Sequence, residues 1–292
     1  MNRLCKQALW KIIDCGLTYC PPYNSPCHSL YQSQHCANVH SFQIPEPWNG
    51  DIEEAKILFV GINPGFTPNE LYPQLSDPYW TMSVLGGNII FNNNKVEDFF
   101  KNRFNQLYVK YWETPQNKTR FSVRMTNGTY KNVHGFWNYL QNISTKLLGD
   151  ATPGKDYALT ELVHCKSASI KHISPQCYDL CMNKHFNDIL SLATKMKYLV
   201  IIGANTRKYV ANILNHGVPS KYVWLNTSIN GNLVKTIYVD HNAGGGSAHK
   251  IPIPKCKCSP KISLELFFVL LISEYNCSKQ KNILITIKIT PL

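Results

Sequence analysis

The chain has 292 residues, room for one large domain or one domain with appendages, and 44% of them are apolar, enough for a substantial core. Its 30 Lys and Arg against 18 Asp and Glu give a formal net charge of +12, and so large a surplus in a chain only 16% charged favours a polyanion partner, nucleic acid being the commonest. Neither a secretory signal nor a membrane span is expected: the N-terminal apolar run is broken by Lys11 and Asp14, and the most apolar window, 262–275, carries Glu265 and Glu274 and is too short to cross a bilayer.

Residues 1–45 are rich in Cys, His, Pro and Tyr with weak periodicity, and read as an irregular segment held by something other than a core. A turn-rich stretch leads into KILFVG (56–61), whose unbroken apolar run predicts a parallel strand covered on both faces. VEDFFKNRFNQLYVKYW (96–112) predicts a helix with Phe100, Phe104, Leu107 and Tyr111 on one face, and FWNYLQNISTKLLGD (136–150) a second, stopped by Gly149. DYALTELVHC (156–165) is a second strand. The stretch 174–197 is a helix with Ser174 as its cap and Pro175 in its first position. YLVIIG (198–203) predicts a strand, ANTRKYVANIL (204–214) a helix, and VKTIYVD (234–240) a strand followed by a glycine-rich loop; residues 260–275 are expected to make a closing helix. The alternation predicts an α/β fold, three-layer α/β/α with a mostly parallel central sheet. The expected layout is a Cys-rich segment 1–45, an α/β domain 46–275 and a tail 276–292, in an intracellular protein, cytoplasmic or nucleoid-associated. Sites in such folds lie beyond the carboxyl ends of the strands, where Asn63, Glu161 and His241 fall.

VGINPG (60–65) has the make-up of a binding loop. Gly61 ends the strand and permits an unusual backbone angle, Pro64 fixes the loop, and Gly65 removes a side chain where another backbone could approach. The alternative is a tight strand-to-helix turn. Gly-Ile-Asn-Pro-Gly after an apolar strand resembles the first active-site motif of the uracil-DNA glycosylase superfamily, in the form found in its mismatch-specific uracil/thymine branch. The resemblance implies that Asn63 positions the attacking water, that Pro64 and Gly65 lie against the DNA backbone, and that Gly61 and Ile62 belong to the same substrate-binding loop.

Eleven cysteines fall mainly in three groups, at the N-terminus, at 165–181 and at 256–258. In a reducing cytosol clustering points to metal rather than to disulfides. The run from 157 to 210, with Cys165 after a strand and Cys181 in the next helix, is similar to a segment of the iron–sulfur uracil-DNA glycosylases. That resemblance implies a 4Fe–4S cluster held by Cys165, Cys181 and two N-terminal cysteines, here Cys15 and Cys20 with Cys27 as the substitute. Cys177, one turn from Cys181, is a rival. Zinc is the alternative for four thiolates. Cys256 and Cys258 receive no role.

The resemblance also implies a second motif after the last strand, where His241 or Asn242 would steady the departing base. Where the family often has an asparagine that reads the base edge, this chain has Glu161. An ionised carboxylate only accepts hydrogen bonds, which suits a base with adjacent N–H donors and repels uracil's O4. Tyr72 is the positional match for an aromatic platform, with Trp80 and Phe91 as alternatives. The glycine loop 244–246 supplies no wedge to fill the gap left by a flipped nucleotide, which leaves Ile251 or another loop. The function so implied is a monofunctional DNA base-excision repair glycosylase acting as a monomer on single- or double-stranded damaged DNA. The alternatives are a catalytically degenerate iron–sulfur DNA-binding protein and a zinc-stabilised nucleic-acid-binding module.

Overall fold

A computed structural model describes residues 1–34, 42–85, 88–115, 119–133, 135–241 and 248–254. The chain opens with helix α1 (Arg3–Tyr19), whose N-cap Asn2 accepts a hydrogen bond from the Cys5 backbone N–H. Cys5, Leu9, Ile12, Ile13 and Gly16 recur every three or four residues along α1 and are buried in the main core. Gly16 lies flush against Pro45, where a Cβ would fall 1.9 Å from the proline ring. This corrects the expectation of an irregular, coreless N-terminal segment. Met1–Pro252 form one compact unit; of the second, residues 253–292, only Ile253 and Pro254 are described. A short helix α2 (His28–Ser33) follows α1.

Strand β1 (Ile57–Gly61) is buried along its whole length, because parallel neighbours flank it on both sides. A hairpin, β2 (Thr81–Leu85) and β3 (Asn88–Phe91), leads into helix α3 (Asn93–Lys101), whose N-cap Asn92 accepts from the Lys95 N–H. The helix predicted for 96–112 overruns: α3 ends at Lys101, and VKYW (109–112) belongs to a three-stranded antiparallel sheet of β4 (Val109–Glu113), β5 (Thr119–Arg124) and β6 (Tyr130–Asn132). Its β-branched and aromatic residues suit a pleated surface better than a helix. Helix α4 (Phe136–Leu148) ends at Gly149, whose φ of 84° is a left-handed conformation that favours glycine.

The central sheet adds β7 (Tyr157–Glu161), β8 (Tyr198–Ile202), β9 (Leu225–Ile229) and β10 (Asn232–Val239) in the order β7-β1-β8-β10-β9. All pairings are parallel except β10 with β9. The β9–β10 hairpin turns on Asn230 and Gly231, with φ of 51° and 77°, as a tight two-residue turn demands. Between β7 and β8 run α5 (Pro175–Cys181), capped by the Ser174 side chain, a π-turn at Met182–Phe186, and α6 (Asn187–Leu192); α7 (Ala204–Ile213) joins β8 to β9. The result is a mixed α/β fold with a mostly parallel sheet and helices around it, compatible with three α/β/α layers. Among the described residues no helix is long and apolar enough to cross a membrane. The stretch 262–275, Cys256, Cys258 and the tail lie outside the described residues.

Candidate active site

The carboxyl ends of β1, β7 and β10 open onto one cleft of about 590 Å³, within the range that holds small ligands. Gly61, Ile62, Asn63, Pro64, Gly65, Glu161 and His241 all line it. Asn242 and the loop 244–246 lie outside the described residues.

The loop after β1 is not a turn into a helix. It continues the sheet's parallel pairing beside the segment after β7: Leu162 N–H donates to Gly61 O, Val163 to Ile62 O, Ser167 to Pro64 O, and Phe66 to Ser167 O. That zipper fixes Asn63. Its Nδ2 donates to Ser167 Oγ at 2.8 Å and to Pro64 O at 3.1 Å, and Ser167 Oγ donates on to Ser169 O. Both amide protons are committed, so Oδ1 is left as an acceptor for a ligand in the cleft.

Gly61 owes its identity to space rather than to an unusual backbone angle. It lies opposite Glu161 in the β1–β7 register, and a Cβ there would fall 2.0 Å from Glu161 Oε2. Gly65 has nothing within 4 Å of where its Cβ would stand, so the cleft edge is open to a second molecule at that point.

Beneath the cleft lies a buried charge network. Arg103 pairs with Glu70, and Lys166 Nζ lies 3.4 Å from Glu46 and 3.5 Å from Glu70. Glu46 also accepts from Asn49 Nδ2 at 2.6 Å. Burial alone would raise Glu70, but Lys166 and Arg103 outweigh it and hold the carboxyl below its usual range. Glu161 is different. It is buried, Oε2 finds no hydrogen-bond partner, and neither of its oxygens has a partner among the described residues. Burial, then the nearby charge of Glu46, pushes its pKa well above the usual carboxylate range. Burial and Glu46 thus weigh against the expected ionised Glu161: the two cations lie against Glu46 and Glu70, and among the described residues none lies within ion-pair distance of Glu161.

His241 lies at the end of β10 with its ring parallel to Phe136, centroids 5.4 Å apart and planes 11° apart. Burial lowers its pKa, so near neutrality the ring offers one N–H donor and one acceptor nitrogen. Tyr72, expected as a platform, is wholly buried behind the cleft, edge-on to Phe99 and Phe100, with Lys166 Nζ 3.7 Å from its ring centre. Trp80 and Phe91 are core residues as well, and Ile251, fully buried, is unfit as a wedge. The aromatic groups that reach the cleft are Phe66, Phe136 and Trp137. The adjacent pair at the start of α4, just after Gly135, is the signal that sequence reading missed.

The cysteines gather elsewhere. Cys15, Cys20, Cys27, Cys165 and Cys181 line one small space of about 10 Å³, with His164 and His185. Cys20 and Cys165 are joined as a disulfide, and Cys27 Sγ lies 2.7 Å from Cys177 Sγ. Hydrogen bonds from Cys177 and Cys27 hold the Cys181 thiol well below its usual range. Among the described residues no group of three or more His, Cys, Asp or Glu side chains stands ready to hold a single metal ion. The donor set nevertheless fits a thiolate-bound cluster in its chemistry: cysteines from α1, the loop before α2, the segment after β7 and α5 line one small space. The Cα atoms of Cys20 and Cys165 are 7.5 Å apart, wider than the roughly 4.4–6.8 Å usual for a disulfide. This site and the cleft share a wall, since His164 Nδ1 lies 3.0 Å from Glu46 O and Lys166 and Ser167 follow directly on Cys165.

Compared with known proteins, the chain matches no family model and no curated protein.

Proposed function

We propose that the protein is a monofunctional DNA glycosylase that hydrolyses the N-glycosidic bond of a flipped-out damaged or deaminated base. The observation that carries this reading is the convergence of Asn63, Glu161 and His241, from three strand ends, on one cleft of a size to take a nucleobase. As the bond breaks, the base gains negative charge and the sugar becomes oxocarbenium-like, so the site must place water at the sugar and stabilise charge on the base. Asn63 Oδ1 accepts from the attacking water, the His241 N–H steadies a base oxygen, and Phe136, beside His241, covers the base. Lys166 is no Schiff-base nucleophile here, because Glu46 and Glu70 engage its amine. The test is a panel of oligonucleotides carrying uracil, hypoxanthine, xanthine or mismatched thymine, scored for abasic sites. Tight binding with no product on any of them assigns the chain to a catalytically degenerate DNA-binding protein instead.

With the Cys20–Cys165 disulfide reduced to two thiolates, Cys15, Cys20, Cys165 and Cys181, with Cys27 as the substitute, would hold a 4Fe–4S cluster. When bound it supplies thiolate links that pin the N-terminal segment to the strand extension carrying Lys166 and Ser167. Anaerobically purified protein is expected to be brown, with absorbance near roughly 400 nm, and Cys165→Ala to lose that band. A colourless protein containing zinc would replace the cluster by a zinc site.

The small sheet offers a track for the strand. Its alternation places Lys110, Trp112, Arg120, Arg124 and Tyr130 on one face, and Glu113, the one acid between 109 and 133, on the other. Interleaved cations and aromatics suit phosphates and unstacked bases. Each lost phosphate contact removes about 0.7–0.9 from the slope of log affinity against log salt. Replacing Lys110, Arg120 and Arg124 by Ala should therefore lower that slope by about 2. An unchanged slope moves the DNA path elsewhere.

A further inference from the structure

Among the described residues, Glu161 is the cleft-lining carboxyl that the protein leaves without a hydrogen-bond or ion-pair partner; the other unpartnered cleft atoms, Nε and Nη1, belong to Arg103, which already engages Glu70. Glu161, the last residue of β7, is only 5% exposed, and neither oxygen meets a donor among the described residues. The sequence keeps room for it, since Gly61 stands directly opposite and any side chain there would strike its carboxyl. A buried polar group without a partner costs stability, and the usual reason to retain one is a ligand that completes it.

The charged and titratable groups facing this cleft are Glu46 and Glu70 before and after β1, Arg103 after α3, Lys131 on β6, Lys166 after β7 and His241 after β10. Arg103 engages Glu70, and Lys166 bridges Glu46 and Glu70. These four make two cations and two carboxylates in balance. Lys131 is exposed and makes no ion pair with Glu161, so negative charge on Glu161 would be a fifth charge without a partner in a desolvated wall.

We propose that Glu161 is the specificity-determining residue of the cleft and reads the base as a neutral carboxylic acid, donating one hydrogen bond and accepting one across an edge where a carbonyl oxygen sits beside an N–H. This deepens the glycosylase reading and rests on it. A carboxylic acid places one O–H donor beside one acceptor oxygen, whereas a carboxylate requires two donors from its ligand. The edge that fits is that of a deaminated base: O4 and N3–H of uracil, or O6 and N1–H of hypoxanthine. An amidine edge such as that of cytosine has the same alternation, but the departing base decides between them. Negative charge grows on the carbonyl oxygens of a lactam as the glycosidic bond breaks, and an O–H aimed at that oxygen strengthens as it does so. Glu161 keeps its proton throughout; the proton balance of hydrolysis is closed by water and base.

The experiment uses the full chain and Glu161→Gln, Glu161→Leu and the parent, with single-turnover excision of uracil, hypoxanthine and cytosine from oligonucleotides between pH 5 and 9. In parallel, binding of free uracil is followed by calorimetry over the same range. The parent is expected to excise the two lactam bases and to lose both excision and uracil binding as pH rises through one ionisation. Glu161→Gln, whose amide supplies the same donor and acceptor without titrating, is expected to keep activity within about tenfold and to lose that pH step; Glu161→Leu should fall by about 100-fold or more. A parent profile with no alkaline loss overturns the proposal even if the variants do not fold. So does preference for cytosine over uracil, or a Gln variant that keeps the same pH step. Uracil binding with the expected pH step but no excision from any oligonucleotide upholds Glu161 as the reader and overturns the glycosylase reading alone.

Discussion

Asn63→Ala is expected to lower single-turnover excision by about 100- to 1,000-fold while leaving DNA affinity within about twofold. The side chain makes two hydrogen bonds to the protein, to Ser167 Oγ and Pro64 O, and both use amide protons. Their loss costs stability by only about 1 kcal/mol each, so the variant should fold. What disappears is the single acceptor, Oδ1, that those bonds aim into the cleft, and with it the group proposed to orient water at the sugar carbon. Ser167→Ala tests the same chain one step back. It frees the amide to rotate and should cost about tenfold, because the acceptor remains but is no longer held. Gel-shift binding alongside abasic-site formation separates the two effects. An Asn63→Ala protein as fast as its parent would mean that the water is placed by something else, and the catalytic assignment would fail.

Which parts of this site could be foreseen follows from how far each property depends on distant residues. The strands Ile57–Gly61, Tyr157–Glu161 and Tyr198–Ile202 are continuous apolar runs, and a run of that kind has few other solutions than a strand buried on both faces. Placing Asn63, Glu161 and His241 at the carboxyl ends follows from the strands alone. Helix Arg3–Tyr19 is equally legible in the spacing of Leu9, Ile12 and Ile13, although the cysteines around them suggest a metal-held segment instead. The spacing of Phe100, Phe104, Leu107 and Tyr111 mimics a helix across what is in fact a turn and a strand; Leu107 and Tyr111 are 40% and 37% exposed, not on a buried stripe. Strand Leu225–Ile229 is too polar to announce itself, although the Asn230-Gly231 turn beside it is a hairpin signal. The rest needed three dimensions. Tyr72 follows the first motif closely in sequence, yet its ring packs under the cleft, while Phe136, seventy-odd positions along the chain from Asn63, stacks on His241. The upward shift of the Glu161 pKa could not be read from any motif, because it depends on burial and on the charges contributed by residues 46, 70, 103 and 166.

That charge count makes Glu70→Leu the substitution with the largest expected cost to stability. Glu70 accepts from Arg103 and lies 3.5 Å from Lys166, and all three side chains are at most 3% exposed. Its removal leaves Arg103 with no carboxylate, and Arg103 already has Nε and Nη1 without hydrogen-bond partners. Its remaining support is the faces of Phe99 at 4.5 Å, Trp137 at 5.5 Å and Tyr72 at 5.9 Å. Breaking a buried pair from one side costs about 3–5 kcal/mol, which in a chain of this size is a fall in Tm of about 10 °C. Arg103→Met should cost less, since Lys166 still serves Glu70, and the double variant Glu70→Leu/Arg103→Met should recover much of the loss. The pH dependence distinguishes this from simple loss of packing. Glu70 has a lowered pKa in the folded chain, so its contribution to stability is present above the unfolded carboxylate value of about 4.3 and is lost as pH falls through the folded value. Glu161 has a raised one, so its contribution is complete below about 4.3 and is lost as pH rises through its folded value. In Glu70→Leu the two cations face only Glu46, and Glu161 gains a reason to ionise. Its pKa should fall, the stability lost on the alkaline side should shrink, and the alkaline loss of uracil binding should move to lower pH. Thermal melts and uracil titrations of the parent and the Glu70 variant between pH 5 and 9 measure both shifts, and a Glu70→Leu protein with the parent's alkaline profile would show that Glu161 does not sense this network.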